Sequence, residues 1–161
     1  MARTSTLLAA FVLLSLLIAA CSTTEEGKFS LHGSVYSVSD IAGTWQATAA
    51  QFSRAVAEPA LLVDIVEQGA LVVLTIESDG DFTLSISGAP NGSEVSTGRL
   101  GFDEDLLVIS FDDAPDDWEY YGISATDVSL TVSGPAEYDF EGDGSEEPAN
   151  VTFEFERDAV S

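Results

Sequence analysis

Oxygen-bearing side chains recur at alternate positions between Tyr138 and Asn150, in the spacing that loops use to bind calcium. Calcium prefers carboxylate and carbonyl oxygens as ligands, and a glycine in the loop allows the tight turn that brings them together. The segment therefore predicts a calcium-binding hairpin loop, with a solvated acidic loop as the alternative. It is not an EF-hand, because Asn150 stands where that motif has a glutamate. The candidate ligands and the turn glycine are Asp139, Glu141, Asp143, Gly144, Ser145 and Glu147.

The sequence offers little material for catalysis. His32 is the sole histidine, Cys21 is the sole cysteine, and the sole lysine precedes the predicted domain. A nucleophilic triad would lack its base, and carboxylates are weak evidence for acid–base chemistry in so acidic a chain. A second acidic run, Asp112–Asp117, lacks spacing around a glycine and is interpreted as a solvated connection. We therefore expect no catalytic residues and a protein that is not an enzyme.

The charge balance excludes one class of partner. The chain has 161 residues with 28 acidic and 5 basic side chains, and the part that begins at Cys21 holds 4 of the bases and all 28 acids, a formal charge of −24. Nucleic acids bind to clustered lysine and arginine, which this chain lacks. The length and the hydrophobic content of 45% fit one globular domain, which we expect to be monomeric.

The first twenty residues have the character of a secretory signal. Arg3 precedes an uncharged apolar run of about 14 residues, which is shorter than the roughly 20 that a membrane-spanning helix needs. The following sequence, Ile18-Ala19-Ala20-Cys21, resembles the lipobox of bacterial lipoproteins. That resemblance implies cleavage before Cys21, diacylglycerol on its sulfur and a fatty acid, such as palmitate, on its amine. An ordinary cleaved signal is the alternative.

These features predict that the protein is located in the bacterial cell envelope. Ser22 follows the lipidated cysteine, and a residue other than aspartate there favours the outer membrane in bacteria that sort as enteric species do. We expect residues 1–20 to be the signal peptide, 21–39 a lipidated flexible tether, and 40–161 the folded domain. His32 lies in the tether and is interpreted as a solvated side chain.

Short segments of alternating apolar and polar residues, separated by turn residues, fill the predicted domain. Asp79-Gly80 and Asn91-Gly92 mark tight turns, because both dipeptides tolerate positive φ. The period breaks at Pro59–Gln68, which predicts a short amphipathic helix after the first strand, ending at Gly69. The predicted strands are 43–52, 71–77, 81–87, 94–102, 106–111, 118–123, 128–132 and 151–156.

Eight short strands without long crossovers indicate an antiparallel up-and-down β-barrel, an all-β fold, and a two-sheet sandwich is the alternative. The segment Asp40–Trp45 resembles the G-x-W signature that opens the first strand of lipocalins and related calycins. Thr126-Asp127 resembles the T-D step of a second lipocalin motif. The resemblance implies a lipocalin-like barrel closed at the bottom, where Arg157 stacks on the signature tryptophan. Its barrel-closing residues are Gly43, Trp45 and Arg157.

Two functions remain open from the sequence. A barrel of this type, tethered to a membrane, can bind a small apolar ligand, whereas a packed barrel with a cation-binding acidic loop would serve as a structural or interaction module of the envelope. A cavity of about 300 Å³ or more would favour binding. The inward residues that would fill or line such a cavity are Phe82, Leu84, Ile86, Val128, Leu130, Val132, Phe153 and Phe155.

Replacement of Cys21 tests the predicted anchor. Cys21→Ser removes the sulfur that accepts diacylglycerol, so the variant should appear in the soluble fraction or remain uncleaved. Several acyl chains hold a protein firmly to a membrane, whereas one chain binds only marginally. Cell fractionation measures the result. A Cys21→Ser protein that is cleaved and still sediments with membranes would contradict the prediction.

Overall fold

The chain folds into a closed antiparallel barrel of eight strands with a ninth, short strand outside the ring. The computed structural model describes residues 30–54, 61–89 and 92–158. The strands are β1 (Gly43–Arg54), β2 (Leu62–Asp64), β3 (Leu71–Ile76), β4 (Asp81–Ala89), β5 (Gly92–Asp103), β6 (Leu106–Phe111), β7 (Glu119–Ala125), β8 (Ser129–Tyr138) and β9 (Glu147–Arg157). Each strand from β3 onward pairs with the next, and β1 pairs with both β3 and β9, which closes the ring. The predicted barrel is therefore confirmed, and the sandwich is excluded.

The core lies inside the ring because alternate residues of each strand face inward. On β3, Val72, Leu74 and Ile76 are buried, whereas the residues between them are exposed or half-buried. The same alternation buries Leu130 and Val132 on β8. Burial of an aliphatic side chain contributes roughly 1.5–3 kcal/mol, so these inward rows stabilise the barrel.

A short helix, α1 (Val38–Ile41), fills one end of the barrel, which we call the closed end. Val38 and Ile41 are buried, and Ser37 begins the helix with its backbone N–H and its hydroxyl both donating to the Asp40 carboxylate. These hydrogen bonds hold the pKa of Asp40 below its ordinary value. Among the described residues α1 is the one helix, and its 4 residues are far too few to cross a bilayer.

Arg157 holds the closed end together. Its guanidinium carbon lies 4.1 Å from the centroid of the Trp45 ring, so the stacking predicted from the sequence is present. The guanidinium also donates to the carbonyls of Ala42 at 2.7 Å, Asp40 at 3.0 Å and Asp127 at 2.8 Å. One side chain of the last strand therefore joins the first strand, the segment before it and the turn between β7 and β8.

Gly43 explains the first position of the G-x-W sequence. Its φ is +134°, a backbone conformation that side chains rarely adopt, and a Cβ atom there would lie 2.6 Å from Nη1 of Arg157. Glycine is therefore required for the guanidinium to lie over the indole ring of Trp45, two residues further along the same strand.

The predicted helix over Pro59–Gln68 is wrong in its described part. Leu62–Asp64 forms β2, which pairs with the second half of β1, and residues 65–69 form turns. That half of β1 has no pairing with β3, so pairing with β2 supplies hydrogen bonds that override the helical pattern. The Asp64 carboxylate then accepts hydrogen bonds from the amides of Val66 and Glu67, which favours a turn over a helix.

The opposite end of the barrel is open because its strands end at different heights. Strands β8 and β9 pair continuously as far as Tyr138 and Glu147, well beyond their predicted ends. By contrast, β7 pairs with β8 only over Leu130–Ser133, and β6 meets β5 only from Gly98 onward. The β4–β5 and β8–β9 hairpins therefore project past β6 and β7 and leave a gap between them.

A double-mutant cycle between Trp45 and Arg157 tests the closure. Because the two side chains stack, Trp45→Leu and Arg157→Gln together should cost less than the sum of their separate effects. The coupling free energy should be about 0.5–2 kcal/mol, measured by denaturant unfolding. Arg99→Gln, on an exposed arginine of β5, is the control and should be additive with Trp45→Leu. Additive effects for Trp45 and Arg157 would show that their stacking does not stabilise the barrel.

Candidate functional site

The interior of the barrel is nearly filled by side chains. It contains a cavity of about 60 Å³, enough for a few water molecules and far below the roughly 300 Å³ of a small-molecule pocket. Most of the residues predicted to face inward lie around this cavity. They are Phe82, Leu84, Leu130, Val132, Phe153 and Phe155.

Val128 is a correction to that set. Its side chain is 69% exposed, because β8 begins one residue later at Ser129 and Val128 belongs to the preceding turn. The inward row of this strand starts at Leu130. Ile86, another predicted inward residue, lies nearer the open end and contributes to a different, larger space.

That larger space is a cleft of about 1090 Å³ at the open end, between the two projecting hairpins. Its floor is the top of the packed core, formed by Leu84, Phe111, Tyr121 and Phe153, which line both the cleft and the small cavity below. The cleft therefore has an apolar base that is continuous with the core, and its volume is close to the upper limit of about 1,000 Å³ for small-molecule pockets.

Tyr121 and Glu119 form a polar contact within this apolar base. The ring of Tyr121 is 7% exposed, and its hydroxyl donates to the Glu119 carboxylate. Burial, together with this hydrogen bond, raises the pKa of Tyr121. The ring packs over Gly134, where a Cβ atom would lie within 2.4 Å of Cδ1, so the glycine makes room for it. Tyr121 thus positions a half-buried carboxylate at the bottom of the cleft.

Aromatic rings form one wall of the cleft. Phe52 and Tyr138 stack with centroids 4.6 Å apart, and Phe140 meets the edge of Tyr138 at 4.9 Å. Burial raises the pKa of Tyr138, and the neighbouring charge of Asp139 adds to the effect. These contacts hold the tip of the β8–β9 hairpin in place, so this wall is preformed.

The acidic loop that follows Tyr138 is held by hydrogen bonds within the chain. The Asp139 carboxylate accepts from the amides of Gly144 and Gly142, each at 2.7 Å, and from Asp143 at 3.2 Å. These bonds, with Gly144 foremost, hold the pKa of Asp139 below its ordinary value. The Asp143 carboxylate accepts from the amide of Ser145.

Arg54 neutralises two of the other predicted calcium ligands. Its guanidinium bonds to Glu147 and lies 3.4 Å from Glu141, and the Glu147 contact, above all, raises the pKa of Arg54. Within the described ranges, no group of three or more acidic, histidine or cysteine side chains is placed to hold a metal ion. Calcium binding by Asp139, Glu141, Asp143, Ser145 and Glu147 therefore stays a prediction.

Two residues of the site, Arg54 and Tyr121, were not assigned from the sequence. Arg54 lies two residues past the predicted end of the first strand, and nothing local points to partners more than 80 positions away. Tyr121 and Ile123 are alternate, inward residues of β7, and this alternation could have indicated from the sequence that Tyr121 faces inward. Asp112 and Asp113, interpreted as part of a solvated run, prove to lie at the edge of the cleft, whereas His32 is exposed as expected.

Comparisons of this chain with protein-family models, with curated proteins and with solved structures found no match.

Removal of the Asp139 carboxylate tests the order of the acidic loop. Asp139→Ala deletes the acceptor of three amides, so hydrogen exchange at Gly142 and Gly144 should accelerate by about tenfold or more. Glu146→Ala, on an exposed loop residue, is the matched control and should leave both rates unchanged.

The same amides should report the lowered pKa of Asp139. Because the folded pKa lies below the unfolded one, the stabilising effect is complete above the unfolded value and is lost as the pH falls through the folded value. Protection should therefore persist into more acidic solution than an ordinary aspartate allows. Exchange rates that do not change in Asp139→Ala would show that the carboxylate does not order the loop.

Proposed function

We propose that this protein binds a small, largely apolar molecule in the cleft at the open end of its barrel, while lipid on Cys21 holds it at a bacterial membrane. The observation that carries the proposal is an apolar floor of core side chains beneath a cleft of about 1090 Å³. Apolar surface of this kind gains free energy when a ligand removes it from water, at roughly 25 cal/mol per Å².

The binding site in this proposal is the mouth of the barrel and not its interior. The interior cavity of about 60 Å³ leaves no room for a ligand deeper than Leu84 and Phe153. A ligand would lie on these side chains, flanked by Ile86 of the β4–β5 hairpin and Tyr138 of the β8–β9 hairpin. This departs from the deep-cavity arrangement that a lipocalin-like barrel suggests, although the closed end matches that resemblance.

The path of the chain supports a particular orientation at the membrane. Ser30 and Phe102 exchange two backbone hydrogen bonds. Because Phe102 lies beside the β5–β6 turn, the described chain begins at the closed end. Ser30 lies nine residues after Cys21 in the sequence, a reach of at most about 32 Å. In the tethered protein the closed end then lies nearer the membrane, and the cleft faces the aqueous compartment from which it would take its ligand.

The second candidate is a non-enzymatic interaction module of the envelope. The packed interior favours it. A barrel that side chains fill except for a cavity of about 60 Å³ serves as a rigid support. In this function the projecting hairpins would contact a partner, and the cleft would have no small ligand.

A variant in which a large side chain fills the cleft distinguishes the two functions. Ala136 is a half-buried cleft residue on β8, and Ala136→Trp should fill the space above the floor. The neutral fluorophore N-phenyl-1-naphthylamine should bind saturably to the unmodified protein, and its affinity should fall about tenfold or more in the variant. Fluorescence titration measures both.

Ser133→Trp is the matched control, since it adds the same side chain to the exposed face of the same strand. It should bind the fluorophore as the unmodified protein does, and thermal melting should show both variants folded. The absence of saturable binding to the unmodified protein, or equal binding by Ala136→Trp, would leave the interaction module as the function.

A further inference from the structure

The acidic residues around the cleft come from several of the elements that border it. Seven acidic side chains line the space, and no lysine, arginine or histidine among the described residues does so. Glu94 lies on β5, Asp112 and Asp113 follow β6, Glu119 begins β7, and Glu137 lies on β8. Negative charge therefore borders the opening from β5 through β8 and along the β8–β9 loop.

The described basic side chains are occupied elsewhere. Arg157 lies at the closed end, Arg99 pairs with Asp81, and Arg54 pairs with two glutamates of the β8–β9 loop. The salt bridges among the described residues include none of the carboxylates at Glu94, Glu119 and Glu137. Like charges gathered over a low-dielectric floor repel one another, and a bound cation relieves that repulsion.

We propose that the ligand of this cleft is an organic cation, an amine or quaternary ammonium group on an apolar body. The proposal rests on the proposed function and adds the charge of the ligand to it. The apolar body lies on the floor formed by Leu84, Phe111 and Phe153, and the cationic group lies against Glu119. Tyr121 orients that carboxylate through its hydroxyl, at the boundary between the core and the opening.

The aromatic lining suits the same ligand chemistry. Phe111, Tyr121 and Tyr138 all line the cleft, and aromatic faces attract ammonium groups through their quadrupoles, most strongly where water is excluded. Carboxylates and aromatic rings in one pocket are the combination that recognises quaternary ammonium compounds. An anionic molecule of the same shape would meet only repulsion from the rim.

Three ligands that share one apolar body test the proposal. 1-Adamantanamine is a cation at neutral pH, 1-adamantanol is neutral, and adamantane-1-carboxylate is an anion. Calorimetric titration at a fixed ionic strength of about 0.15 M should show the amine binding about tenfold tighter than the alcohol, with the carboxylate weaker still. The neutral alcohol isolates the apolar part of the binding.

Matched glutamine variants distinguish a local effect from the charge of the whole protein. Glu94→Gln, Glu119→Gln and Glu137→Gln together should abolish the advantage of the amine over the alcohol. A control with Glu77→Gln, Glu154→Gln and Glu156→Gln changes the net charge equally at exposed positions outside the cleft and should retain the advantage. Glu119→Gln alone should account for most of the loss.

Each remaining outcome overturns a defined statement. If the alcohol binds and the amine binds no tighter, or if the control loses the advantage as the cleft variant does, the cationic ligand is wrong and the apolar site stands. If none of the three binds, both the apolar site and the cationic ligand are wrong. If tetralysine, which has no apolar body, binds as tightly as the amine, the rim is a surface for basic polypeptides instead.

Discussion

The closed sheet depends on the pairing of β1 with β9, at the end of which Arg157 stacks on Trp45. A barrel loses its free edges only when the first and last strands meet, and this pair lies where β1 and β9 pair. Trp45 is fully buried, so its indole N–H requires a partner, which it finds in the carbonyl of Ile41 at 2.8 Å. That hydrogen bond fixes α1 beneath the core. Ring closure and the sealing of one end thus have a common origin.

The open end of the barrel differs from the closed end in almost every respect. At the closed end, the Arg157 side chain joins neighbouring segments by donating to their backbone carbonyls. At the mouth, the strands end at different heights and leave apolar core residues accessible from that side. The molecule therefore has a polarity along its axis, with structure concentrated at one end and the candidate chemistry at the other.

The sequence was informative where a local pattern determines structure. Alternation in segments such as Phe82–Ile86 identified the strands, because it reflects a short-range period. The closed end was anticipated only through the resemblance of Gly43, Trp45 and Arg157 to the lipocalin signature. The pairing of β2 with β1 was not visible, since Leu62 and Val63 fit a helical period equally well until β1 supplies their hydrogen bonds. The cleft was also hidden. It arises from the unequal heights of paired strands, and Glu119 and Glu137 look like any other surface acids until the strand register brings them to one cleft.

The projecting hairpins leave stretches of β5 and β8 without a second neighbour among the described strands, at residues 92–97 and 134–138. Such edges invite another chain to add a strand, which is how many β proteins aggregate. Here Pro135 lacks the N–H that an added strand would require, and Glu94 and Glu137 repel a second copy. The negative charge at the mouth would then also keep the protein soluble, because it prevents an incompletely paired sheet from adding strands of further copies.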